Sequence, residues 1–211
     1  MPSHAGQGQP IGVSKVLLDL DGVIRHFDLE RVRRIEAEHG LRSGCLHATA
    51  FDPELLEQVV TGLMGRKEWV EQVGATVGNT TAARECFDDV GVVDTEMLVE
   101  VDALRSDGVT VAVLTNGTDT IADELVQLGI AQRFDAVFNG AYLGVAKPDP
   151  RIFELVCSRL GCAPSDVFFT DDSASKLRGA IEIGMHARLF EGVEIFRAHL
   201  THLGLRSSSE G

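Results

Sequence analysis

The chain has few cysteines and no long apolar run. Its 211 residues include four cysteines (Cys45, Cys86, Cys157 and Cys162), which form no CxxC pair and lie near no histidine spacing typical of zinc. We therefore expect four free thiols and a cytoplasmic protein. No apolar run approaches the roughly 20 residues that span a bilayer. Residues 1–12 also lack the basic and apolar segments of a signal peptide.

Acidic residues outnumber basic residues in the chain. The chain has 19 Lys and Arg against 32 Asp and Glu, a formal net charge of −13. This balance argues against nonspecific binding to nucleic acid or to an anionic membrane, so we expect neither partner. An anionic substrate would need a local cationic site to overcome the overall field. The apolar share of 44% is ordinary for a globular domain, and the oligomeric state is left open.

The most informative segment is an apolar run that ends in two carboxylates. Val16, Leu17 and Leu18 lead into Asp19 and Asp21, and Gly22 follows. This pattern predicts a buried strand over about 14–19, whose extended geometry would place both carboxylates on one face. Because removing carboxylates from water costs free energy, we expect a cationic partner beside them.

The remaining pattern divides the chain into two units. Residues 25–94 have helical periodicity, with helices expected around 29–39, 55–60, 69–77 and 80–87. From residue 95 onwards helices and strands alternate. Strands are expected at 109–114, 136–138, 167–169 and 187–190, and helices at 95–105, 118–128, 150–160, 173–183 and 193–203.

Such alternation predicts an α/β fold with a doubly wound parallel sheet. Its core would comprise 13–24 and 95–205, with 25–94 as a helical insert after the first strand. We expect the tails 1–12 and 206–211 to be disordered.

Chemically active side chains follow four of the predicted strands. They are Asp19 and Asp21, then Thr115 and Asn116, then Lys147, and finally Asp171 and Asp172. Because sites in open parallel sheets form at the carboxyl ends of strands, we expect these side chains to converge.

These four segments resemble the motifs of the haloacid dehalogenase-like (HAD) superfamily. Leu18–Val23 is similar to its DxDG motif, Leu114–Asn116 to its hydroxyl motif, Lys147–Pro150 to its lysine motif and Phe169–Ser173 to its acidic motif. Each motif alone is common, but four in order at predicted strand ends make a specific signal. The resemblance extends over about 13–190. It implies a Rossmann-like core, and the insert resembles the helical cap of C1-capped members.

The chemistry also follows from the residue types. Two unit charges about 5 Å apart at an effective dielectric of about 20 repel by roughly 3 kcal/mol. A hard divalent cation removes this penalty, and Mg²⁺ is favoured beside a phosphate. Phosphoryl transfer needs a nucleophile, which we assign to Asp19 as the site of an aspartyl-phosphate. Asp21 would protonate the leaving alkoxide and later activate water.

The resemblance implies the remaining roles. Metal would be bound by Asp19, the backbone carbonyl of Asp21 and Asp172, with Asp171 acting through water. The Thr115 hydroxyl, the Asn116 backbone N–H and the Lys147 ammonium would hold the phosphate oxygens. The predicted activity is therefore a Mg²⁺-dependent phosphatase acting on a small phosphorylated metabolite.

Three alternative functions compete with this prediction. Dehalogenases resemble the chain but carry an aromatic residue at the position of Asp21. A sugar-phosphate mutase (phosphoglucomutase-like) would use the same four motifs, with basic cap residues such as Arg66 and Lys67 for a second phosphate. A non-catalytic phosphometabolite-binding regulator is the third.

Some of these residues also have a simpler structural interpretation. Residues 171–173 would suit the N-cap of the helix that follows, and Trp69 would suit the apolar core of the cap. Lys176 departs from the Asn that many family members carry.

Overall fold

A parallel five-stranded sheet forms the centre of the molecule. The computed structural model describes residues 12–206, so the predicted tails lie outside it apart from Gly12 and Arg206. The strands are β1 (Lys15–Leu18), β4 (Thr110–Thr115), β5 (Ala136–Asn139), β6 (Val167–Asp171) and β7 (His186–Leu189). Their order is β5-β4-β1-β6-β7, and every pair is parallel. The predicted doubly wound α/β fold is confirmed.

Both faces of the sheet are covered by helices, which explains why the strands are apolar throughout. Val16 and Leu18 of β1 pack on one side, with α6 (Thr95–Ser106), α7 (Ile121–Gln127) and α11 (Val193–His202). Leu17 points to the other side, with α9 (Pro150–Leu160) and α10 (Arg178–Glu182). A short helix, α8 (Gly140–Leu143), follows β5. The central strand is therefore held in register from two sides.

Five helices between β1 and α6 form a separate apolar cluster. They are α1 (Leu29–Glu38), α2 (Cys45–Ala50), α3 (Pro53–Val60), α4 (Arg66–Val77) and α5 (Thr80–Phe87). Trp69 is buried within this cluster as predicted, and its Nε1 donates to the carbonyl oxygen of Ala50 at 3.2 Å. Asn79 begins α5 by accepting a hydrogen bond from the backbone N–H of Ala82.

A two-stranded antiparallel ribbon joins the helical insert to the sheet domain. It pairs β2 (Arg25–His26) with β3 (Val92–Val93), and no pattern in the sequence predicts it. The backbone N–H of Asp94 also donates to Ile24 at 2.8 Å. We propose that this ribbon is the boundary of the predicted insert 25–94, which we call the cap, and of the core formed by 13–24 and 95–205.

Some predicted elements differ in detail. The sequence does not predict helix α2, which has only six residues. Its first turn is held by Glu36, whose carboxylate accepts hydrogen bonds from the backbone N–H groups of Gly44 and Leu46. The helix expected over 118–128 begins only at Ile121. The helix expected over 173–183 is a 3-10 turn at Ala174–Leu177 followed by α10.

The structure also bears on the expectations about cysteines and membrane spans. All four cysteines are free, as predicted, and the cytoplasmic location inferred from them stays a prediction. Among residues 12–206, no helix is both long enough and apolar enough to cross a bilayer.

Candidate active site

The acidic residues of β1 and β6 meet because these strands are neighbours in the sheet. Leu18 is paired with Thr170, and the backbone N–H of Asp19 donates to the carbonyl oxygen of Thr170 at 3.0 Å. The chain therefore places Asp19 and Asp171 side by side just where the sheet ends. Both side chains are buried, Asp171 completely.

Lys147 supplies the cationic partner that the sequence predicts. Its ammonium lies 2.7 Å from Oδ1 of Asp19 and 2.6 Å from Oδ2 of Asp171. Burial alone would lower the pKa of Lys147, but the two carboxylates raise it above its usual value. Lys147 is not a solvated surface residue, since its side chain is 1% exposed.

The loop that carries Lys147 is held by Asn116. The side-chain amide of Asn116 donates to the carbonyl oxygen of Lys147 at 2.8 Å, and its Oδ1 accepts from the Lys147 backbone N–H at 2.8 Å. The family resemblance implies a role only for the backbone N–H of Asn116. The side chain positions the lysine, and no local signal in the sequence indicates a contact over 31 residues.

The acidic side chains form a compact group of three. Oxygen atoms of Asp19, Asp171 and Asp172 all lie within 4.8 Å of one another. Burial, opposed by Lys147 and reinforced by Asp171, raises the pKa of Asp19 to about 7. Burial and Asp171 also raise the pKa of Asp172. One lysine therefore does not fully compensate three carboxylates, and this all-oxygen donor set fits a hard divalent cation.

Gly22 allows Asp172 to approach this group. A Cβ atom at position 22 would lie 2.1 Å from Oδ2 of Asp172, and the φ angle of Gly22 is +86°. A side chain at this position would displace the carboxylate, so the glycine of the first segment has a steric reason. The N-cap interpretation of residues 171–173 fails, because Ser173 makes no side-chain cap and Asp171 instead accepts from the Ser173 backbone N–H.

The side chain of Asp21 lies apart from the three carboxylates. It forms an ion pair with Arg25, which also donates to Oε2 of Glu124 at 2.7 Å. Arg66 of the cap donates to Oε1 of Glu124 at 2.9 Å. Burial alone would raise the pKa of Glu124, but hydrogen bonds from Thr120 and Arg25 hold it below its usual value. Glu124 therefore links the cap to the core as a charged carboxylate, a role that the sequence did not indicate.

Two further residues that the sequence singles out are Thr115 and Lys176. Thr115 is buried at the end of β4, beside Asn116. Lys176 donates to the carbonyl oxygen of Lys147 at 3.3 Å, so the lysine found in place of the family's Asn braces the same loop. Burial first, and then the charge of Lys147, lowers the pKa of Lys176.

A cavity of about 270 Å³ separates the cap from this edge of the core. Asp21, Asn116 and Arg66 line it, whereas Lys67 does not. Phe27, which follows the first motif, lines the cavity, while the neighbouring His26 faces Asp94 at 3.3 Å. The site therefore has two parts, which are the charged residues at the edge of the core and a cavity that the cap completes.

Comparisons with known proteins agree with this architecture. The chain is 28% identical to phosphatase MT3486 of Mycobacterium tuberculosis over 86% of the chain and 88% of that protein. It is 34% identical to (S)-2-haloacid dehalogenase 4A of Burkholderia cepacia over 41% of the chain and 38% of that protein. A HAD family enzyme of Bacteroides thetaiotaomicron, solved with magnesium and inorganic phosphate, superposes with a TM-score of 0.72 at 21% identity, covering 88% of this chain and all of the other.

The share of each protein that a match covers decides which conclusion it supports. The chain spans only 8% to 38% of the length of three curated relatives that it matches. The family model for haloacid dehalogenase-like hydrolases, however, matches residues 15–184, which include β1, the cap and β6. The chain therefore belongs to the haloacid dehalogenase-like hydrolase family.

Proposed function

We propose that this hydrolase is a Mg²⁺-dependent phosphatase that acts on a small phosphorylated metabolite through an aspartyl-phosphate on Asp19. The observation that carries the proposal is the position of Asp19. It lies buried at the end of β1, 2.7 Å from the Lys147 ammonium and within 4.8 Å of two further carboxylates. A carboxylate, a cation and a divalent-metal donor set at one point are the groups that phosphoryl transfer requires.

Asp19 is oriented for attack by two hydrogen-bond donors. The Lys147 ammonium and the Leu20 backbone N–H both contact Oδ1 at 2.7 Å. Its other oxygen, Oδ2, then attacks phosphorus in line with the leaving group. Lys147 and Thr115 hold the equatorial phosphate oxygens and offset the charge that develops on them.

Asp21 handles the proton in both steps. It lines the cavity next to Asn116, where the leaving group would lie. As general acid it gives its proton to the departing alkoxide oxygen, which leaves the phosphoryl group on Asp19. It then takes a proton from the attacking water, so that phosphate is released and Asp19 is restored. Arg25 fixes the resting position of this carboxylate.

The residues present fit a magnesium ion, and Asp19, Asp172 and the backbone carbonyl of Asp21 would hold it. Asp171 would contribute through water. When bound, the ion neutralises the acidic residues and the phosphate so that two anions can meet. A relative of known structure contains magnesium and inorganic phosphate, which supports this assignment.

The other activities of the family fit the site less well. Some matched relatives are named haloacid dehalogenases, but carbon–halogen cleavage needs neither a proton donor at position 21 nor a metal. A mutase needs a second cationic phosphate site, whereas Arg25 and Arg66 are both paired with Glu124. A non-catalytic regulator would not need the buried nucleophile, the lysine and the acid together.

Replacing the nucleophile tests the proposal directly. We expect Asp19→Asn to reduce Mg²⁺-dependent hydrolysis of 4-nitrophenyl phosphate by at least about a thousandfold, because the amide cannot form the intermediate. The exposed Asp107→Asn, which makes the same change away from the site, should retain the parent rate. Equal phosphate release by Asp19→Asn and the parent would refute the mechanism. Absence of release by the parent across a broad panel of phosphate esters would refute the phosphatase.

Replacing Asp21 separates its acid role from its base role. In Asp21→Asn, loss of the acid should slow transfer from a primary alkyl phosphate by about 10² to 10⁴-fold. The first turnover of 4-nitrophenyl phosphate should be affected far less, because nitrophenolate leaves without a proton. Rapid mixing should show a burst of about one nitrophenolate per enzyme followed by a slow steady state. An equal loss with both esters in the first turnover would contradict the assignment.

Binding of magnesium has a readout that does not depend on turnover. At a hundredfold excess of Mg²⁺ over Kd, linkage stabilises the folded state by about 2.7 kcal/mol, a rise of roughly 5–10 °C in Tm. We expect this rise in the parent and in Asp107→Asn, and its loss in Asp172→Asn. Chelation should abolish hydrolysis, and Mg²⁺ should restore it. An unchanged Tm in the parent, or the same rise in Asp172→Asn, would exclude this metal site.

A further inference from the structure

The cavity between cap and core indicates what kind of alcohol the enzyme releases. We infer that the substrate is a phosphate monoester whose leaving group is apolar and about the size of one substituted ring. This inference rests on the proposed function, because it takes the phosphate to lie at Asp19 and the leaving group beyond Asp21. Asp21 and Asn116 line the cavity, while Asp19 and Lys147 do not, so the cavity begins where the phosphate site ends.

Most of the cavity wall is hydrocarbon. The cap contributes Phe51, Leu56, Val59, Trp69 and Phe87, and the core contributes Ile121. Such a surface binds apolar groups by releasing water from both partners. A hydroxyl group placed against it would lose its hydrogen bonds to water without replacement. The wall therefore favours hydrocarbon over a polyol.

The charged side chains of the wall already have partners. Arg25 pairs with Asp21 and with Glu124, and Arg66 pairs with Glu124. Asp89 is approached by Arg31, 3.7 Å away. The five charged side chains that line the cavity are two cations and three anions, which leaves no excess positive charge for a second phosphate or a carboxylate. The leaving group should therefore be uncharged.

The neutral polar groups of the wall are also largely occupied. The amide of Asn116 is bonded to the Lys147 backbone on both sides. The hydroxyl of Thr118 is bonded to that of Thr120 at 2.8 Å. His47 stacks on Phe51 with ring centroids 4.4 Å apart, which covers one face of its ring but leaves the ring nitrogens available. Few groups thus remain that could select a sugar by its hydroxyls.

The volume of the cavity and the residues at its entrance limit the size and polarity of the ligand. A volume of about 270 Å³ corresponds to about nine water-sized groups of about 30 Å³ each. Phe27, Leu29 and Phe51 line this cavity although they are 43%, 55% and 49% exposed. Scattered exposed apolar residues are ordinary, but three around one cavity form an apolar entrance.

Two esters of nearly equal shape test the inference. Cyclohexylmethyl phosphate and glucose 6-phosphate both release a primary alcohol that carries a six-membered ring, and they differ mainly in ring hydroxyls. Their Kd values are measured by calorimetry with Mg²⁺ in Asp19→Asn, which binds substrate without turnover, and their KM values in the parent. We expect both constants to be at least tenfold lower for cyclohexylmethyl phosphate.

The outcomes distinguish this inference from the proposed function. Equal affinities, tighter binding of glucose 6-phosphate, or no binding of either ester would overturn the inference, whether or not the parent hydrolyses phosphates. Tighter binding of cyclohexylmethyl phosphate without any hydrolysis by the parent would support the apolar pocket and refute only the phosphatase. If Asp19→Asn does not fold, the KM ratio in the parent decides.

A matched pair of variants locates the effect in the cavity. Phe51→Asn changes a half-exposed wall residue, so the fold should tolerate it, and Leu63→Asn makes a similar change at a residue that is 80% exposed and outside the cavity. We expect the preference for the cyclohexylmethyl ester to fall at least threefold in Phe51→Asn and to stay at the parent value in Leu63→Asn. A preference unchanged in Phe51→Asn, or reduced equally in both variants, would contradict the inference.

Discussion

The ammonium of Lys147, buried between Asp19 and Asp171, is the interaction on which the site depends. It joins the ends of two neighbouring strands to a loop that follows β5, and Asn116 and Lys176 hold that loop by its backbone. Burying three charges together costs free energy that their mutual attraction only partly returns. Burial raises the pKa of Asp19 to about 7, and the nearby Lys147 only partly offsets this rise. A further cation at this point would offset the remaining negative charge, which is why the proposal includes a divalent metal.

A second charged group connects this chemistry to the cap. Glu124 lies in the core, yet it accepts hydrogen bonds from Arg25 at the ribbon and from Arg66 of α4. Arg25 in turn holds Asp21, which we propose as the acid and base. The position of the proton donor and the position of the cap are therefore linked through two arginines and one carboxylate. Closure of a cap excludes water from the reacting phosphate, which is the physical reason to couple the two.

The sequence predicts the core well because the relevant signals are local. Continuous apolar strands followed by helices identify the parallel sheet, and the carboxyl ends of β1 and β6 identify the acidic residues. What it misses depends on contacts between distant residues. The pairing of Arg25 with Glu124 spans 99 positions, and the Asn116 amide reaches a backbone 31 residues away. A two-residue ribbon and a six-residue helix are too short for periodicity to indicate.

The central claim is that Asp19 becomes phosphorylated, and direct capture of that bond tests it best. The parent enzyme is mixed briefly with a phosphate ester and Mg²⁺, reduced with tritiated borohydride, which attacks acyl phosphates, and mapped by peptide mass spectrometry. The account predicts a single reduced carboxyl group, at Asp19, which disappears when the ester is omitted. Label at Asp21 or Asp172, or no label in an enzyme that is turning over substrate, would contradict it.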